Sequence, residues 1–129
     1  MDRDLTEMLG RLKAMECGAA ADALMASYPA GSPNWGAAIE LIGHLSWPKK
    51  DQVKLAKHYL SRLPFANAKP YEVFANIMSL PTLLQILKEY APSNDRDKNL
   101  FRYYAKPALE RAKPSDSDRK MVEEFFSNI

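Results

Sequence analysis

Apolar side chains recur every three or four positions along this chain, in short bursts set apart by proline, glycine and serine, and no stretch shows the period of two that a half-buried strand requires. The pattern predicts an all-α chain. Leu5, Met8, Leu9, Leu12 and Met15 share one face of a first helix, with Gly18 as its stop. The alanine-rich run Ala19 to Tyr28 makes a short second helix, ended by Pro29-Ala30-Gly31. Ser32 as N-cap and Pro33 at the first helical position start a third helix reaching about Ser46, with Trp35, Ala38, Ile39, Leu41, Ile42 and Leu45 on its apolar side. Gly36 and Gly43 share a flank of that helix, a spacing that predicts close approach of a neighbouring helix backbone.

Trp47 and Pro48 turn the chain into a fourth helix, to about Leu63, with an apolar stripe of Val53, Ala56, Tyr59, Leu60 and Leu63 and Pro64 as its close. Pro70 starts a fifth helix carrying Glu72 in its first turn, and Pro81 kinks or restarts the chain into a sixth, apolar on most sides from Leu83 to Tyr90. Ser93 or Asn94 caps a longer seventh helix, which Pro107 should bend. The near capping box Ser115-Asp116-Ser117-Asp118 opens a last helix burying Met121, Val122, Phe125 and Phe126.

Nine prolines punctuate these segments, and two lie in near-copies, Leu45-Ser46-Trp47-Pro48 and Met78-Ser79-Leu80-Pro81, 33 positions apart. The order of elements around the two copies matches, as it would in repeated helical hairpins. The expected architecture is seven or eight short helices arranged as antiparallel hairpins, in an irregular HEAT-like stack or a compact helical bundle. Residues 1–129 make one domain of ordinary size, able to bury roughly two-thirds of the surface of the unfolded chain.

At 47% hydrophobic and 26% charged residues with five glycines, the composition excludes disordered and fibrous classes. Apolar runs fall short of the roughly 20 residues of a membrane span, and Met1-Asp2-Arg3-Asp4 does not open like a signal peptide, so the expectation is a cytoplasmic protein without a membrane partner. A single cysteine, Cys17, excludes an internal disulfide.

Net charge is only +2, but it is unevenly spread: residues 1–47 hold three basic and six acidic side chains, residues 48–113 thirteen against six, and residues 114–129 two against four. Lys50, Lys54 and Lys57 gather on the polar face of the fourth helix with His58 and Arg62 beside them, while Arg102 and Lys106 accompany Tyr103 and Tyr104 on the seventh. Asp116, Asp118, Glu123 and Glu124 make the C-terminal end acidic. These ten charged positions are the candidate partner-binding residues.

Signatures of catalysis are missing: there is no phosphate-binding glycine loop, nucleophile elbow, paired cysteine motif or zinc-binding H-E-x-x-H helix. Glu40 and His44, one turn apart, read as a solvated pair rather than a metal site, and Cys17 as a small buried hydrophobe. Trp35 and Trp47 read as local packing. No catalytic residue, metal or cofactor is therefore expected, and protein binding is the leading function. A small helical-repeat nucleic-acid binder that uses the basic middle segment is the alternative.

In size and all-helical character, most clearly from Pro33 to Lys113, the chain resembles the small helical immunity proteins that bacteria pair with polymorphic or contact-dependent toxins. That resemblance implies a non-catalytic cytoplasmic protein whose partner is a cognate toxin domain, often a nuclease, with its active site occluded on binding.

Overall fold

The computed structural model describes residues 2–129 and contains, among them, eight helices and no strand: α1 (Arg3–Lys13), α2 (Cys17–Ser27), α3 (Trp35–Gly43), α4 (Lys49–Leu60), α5 (Lys69–Ile77), α6 (Leu80–Tyr90), α7 (Asp95–Ala112) and α8 (Asp116–Ser127). Side-chain caps set several starts. Asp2 accepts the Leu5 N–H at 2.9 Å, Asn94 accepts that of Asp97 at 2.8 Å, and Ser115 accepts that of Asp118 at 3.1 Å, each satisfying a donor with no partner inside its helix.

Every extensive helix–helix contact joins helices one or two apart in order. Helices α1, α3, α5 and α7 follow one another in one row, α2, α4, α6 and α8 in a second, and the rows are joined through α1·α2, α4·α5, α5·α6 and α7·α8. The apolar stripes read from sequence supply most of the core: Leu24, Ile42, Leu60, Leu83 and Leu87 are fully enclosed, while in α4 Leu55, outside the expected stripe, is enclosed and Val53 only partly buried. An aromatic chain crosses it, from Trp35 stacked on Phe65 at 4.9 Å, through Tyr71 and Phe101, to Phe126.

Hydrogen bonds tie neighbouring segments together at buried points. The Tyr59 hydroxyl donates to the Tyr28 carbonyl at 2.7 Å, fixing α4 to the end of α2, and burial holds the Tyr59 phenol well above its ordinary range. Burial likewise pushes Tyr71 up to about 12, although its oxygen accepts the Phe65 N–H. Trp47 is 6% exposed and its indole N–H donates to the Ile42 carbonyl, local packing as expected, whereas Trp35 is partly buried and stacks on Phe65, thirty residues along the chain. Asp51, 2% exposed, leaves one carboxylate oxygen without a donor in the first turn of α4, where the helix dipole favours a negative charge.

Several expected boundaries move. Gly18 is not a stop: the Ala14 N–H closes α1 onto Arg11 and Leu12, and the Glu16 carboxylate takes the Gly18 N–H at 2.9 Å, placing that glycine in the first turn of α2 and Met15 between helices. The third helix starts at Trp35 rather than Pro33, because the Ser32 hydroxyl donates back to the Pro29 carbonyl and three-residue turns carry the chain past Asn34. Helix α4 ends at Leu60, where short turns to Arg62 and Leu63 take over.

Gly36 faces open space, and a methyl group on Gly43 would meet only the Val73 side chain at 3.6 Å, so neither glycine admits a neighbouring backbone. The two proline corners also differ: Pro48 precedes α4 as its N-cap, whereas Ser79 caps α6 and Pro81 lies inside its first turn. Helix α7 continues through Pro107 as one element. The proline lacks the N–H that the Tyr103 carbonyl would accept, a loss tolerable on this exposed side of the helix.

Candidate functional site

Spacing along α7 builds the site. Tyr103, Pro107 and Arg111 follow at intervals of four and therefore share a face, with Arg102 and Lys106 alongside. The opposite side, carrying Phe101, Ala105, Ala108 and Leu109, is buried against α5 and α8 and fixes the helix in place. The outward side forms a cleft of about 420 Å³ lined by Ala68, Arg102, Tyr103, Lys106, Pro107 and Arg111.

Tyr103 is 71% exposed, and its ring lies edge-on to Tyr104 at 4.9 Å. An aromatic side chain so little covered stands out in a chain whose other large aromatic rings are mostly packed. The cations around it are held by internal acceptors. Arg111 donates to Glu72 of α5 at 2.6 Å, Lys106 pairs with Glu123 of α8 at 2.8 Å, and Arg102 donates to the Phe126 carbonyl in the last turn of α8 at 2.7 Å. The first two charges thus meet carboxylates, whereas Arg102 meets a neutral carbonyl.

The remaining candidate charges are scattered. Lys50, Lys54 and Lys57 are exposed on α4, as the helical pattern requires, but Lys54 is paired with Asp22 of α2, which raises its proton affinity. Arg62 lies beyond the shortened α4, with its guanidinium against Gly31 in the α2–α3 connection, and so leaves the lysine face. Lys50, Lys54 and Lys57 lie on α4 and Arg102 and Lys106 on α7, two helices that make no extensive contact with each other. Asp116 and Asp118 occupy the first turn of α8, complementing its dipole, and Glu123 and Glu124 are exposed further along.

Glu40 and His44 are a solvated pair, 3.3 Å apart, with Lys69 at 3.7 Å from the same carboxylate. The hydrogen bond with His44 lowers the Glu40 pKa, and Lys69 adds to the effect. Cys17 is half-buried rather than enclosed, because it is the first residue of α2 on the rim of a second cleft, of about 300 Å³, between Met15 and His44. Among the described residues no three histidine, cysteine or acidic side chains come together as a metal site. No helix there is long and apolar enough to cross a membrane.

Arg111, Pro107, Ala68 and Tyr103 itself were not among the ten positions expected to bind. The interval of four from Tyr103 already marks the first two, but Ala68 reaches the cleft only because α5 packs on α7. Compared with known protein families, characterised proteins and solved structures, the chain matches none.

Proposed function

We propose that this chain is a non-catalytic protein-binding module, an irregular HEAT-like stack that docks a partner through the α7 cleft. The carrying observation is Tyr103, 71% exposed among cations that internal acceptors already hold in position. Tyrosine and arginine dominate the energetics of protein interfaces, and side chains ordered before contact lose little entropy on binding. Combined with the resemblance to helical immunity proteins, this supports a cognate bacterial toxin domain as the partner, neutralised by occlusion of its active site. The acidic side chains of α8 border the same region through the Lys106–Glu123 pair, and so offer carboxylates to a cationic surface next to the cleft.

The alternative is a nucleic-acid binder. An exposed aromatic ring beside cations suits base stacking. It draws less support, since Lys54, Lys106 and Arg111 already meet carboxylates and phosphate binding scales with the cations free to neutralise it.

Co-expression with the product of the adjacent reading frame tests the protein-binding reading. The expected result is a stable complex on size exclusion and relief of that product's toxicity, with Tyr103→Ala weakening the complex by about 2 kcal/mol. Neither complex nor protection would overturn it.

A further inference from the structure

The three cations of the α7 cleft are not equivalent. Glu72 and Glu123 meet the charges of Arg111 and Lys106. Arg102 spends one N–H on the Phe126 carbonyl, and no carboxylate pairs with it among the described residues. A guanidinium carries five N–H donors, so the remaining ones can take a carboxylate in forked geometry. The next residue, Tyr103, offers an open ring held edge-on by Tyr104, and no acidic side chain lines the cleft. At about 420 Å³ the cleft has room for a few side chains.

We infer that the cleft receives an acidic segment of a protein partner, with a carboxylate on Arg102 and a neighbouring aromatic side chain on Tyr103. The inference rests on the protein-binding reading above and names the chemistry of the partner. A single uncompensated cation beside one aromatic platform matches a short acidic-aromatic peptide. A phosphate backbone would call for a row of such cations.

Fluorescence anisotropy with the full chain tests it, using dye-labelled peptides of sequence Glu-Glu-Phe-Glu and Lys-Lys-Phe-Lys and a labelled oligothymidylate as probes. The acidic peptide should bind, the basic one should not, and the oligothymidylate should bind more weakly than the acidic peptide. Tyr103→Ala and Arg102→Gln should each weaken the acidic peptide about tenfold, equivalent to ~1.4 kcal/mol. Lys88→Gln, at an exposed position of α6, should leave it unchanged. Arg102 also holds the end of α8, so Tyr103→Ala, a change at an exposed side chain, decides the outcome if Arg102→Gln fails to fold. Undetectable binding of the acidic peptide, binding unaffected by Tyr103→Ala, or tighter binding of the oligothymidylate would each overturn the inference. If the co-expressed partner binds wild type and Tyr103→Ala equally, the cleft assignment falls and the protein-binding reading stands.

Discussion

His58 sits edge-on to Tyr59 at 4.7 Å, and its Nε2 is enclosed without a hydrogen-bond partner. Burial penalises the imidazolium, so the folded-state pKa lies below the ordinary value of 6.5. The unfolded chain then binds the proton more readily, and stability falls as pH drops through about 6.5 toward the lower folded value. Urea midpoints compared at about pH 7.5 and about pH 5.5 should show this loss, and His58→Phe should flatten it. Periodicity puts His58 beside the lysine face of its helix, where it reads as solvated. It does not show that the ring nitrogen is closed off without a hydrogen-bond partner. The Asp51 carboxylate is a similar case, since a charged residue among lysines reads as solvated and only packing buries it.

At the level of the helix, local chemistry decides most starts, but different residues do the work in places that look alike. Asn94 caps α7 with its side-chain oxygen on the Asp97 N–H, whereas the Ser79 hydroxyl, at the equivalent position of α6, turns instead to Thr82 at 2.9 Å. Asn94→Ala should therefore cost about 1 kcal/mol and Ser79→Ala much less, as read from thermal or urea unfolding. Prolines were good guides to element existence and poorer ones to boundaries. Pro70 and Pro81 lie inside first turns as a helix start predicts, yet Pro33 falls two residues early, because the Ser32 hydroxyl is used in a turn. A proline fixes its own φ and removes one donor, but which neighbour absorbs the orphan groups is settled by competing hydrogen bonds.

Across the whole molecule, neighbour-only packing makes the inner helices the best supported, since α4 and α5 contact partners on both sides along their rows and α1 and α8 close the ends. Hydrogen exchange followed by mass spectrometry should accordingly find the slowest amides in α4 and α5 and faster exchange in α1 and α8. The fold also redistributes charge. Asp22 from the acidic N-terminal part meets Lys54, and Glu123 from the acidic C-terminal part meets Lys106, so the basic middle segment is partly neutralised by the acidic segments that flank it in sequence. By itself the sequence determined the helical class and most of the apolar stripes, because these follow from spacing on a single helix. Only the tertiary structure decided which cations keep their charge unmatched and which aromatic ring stays open, because ion pairing and burial depend on residues from different helices brought within a few ångströms of each other.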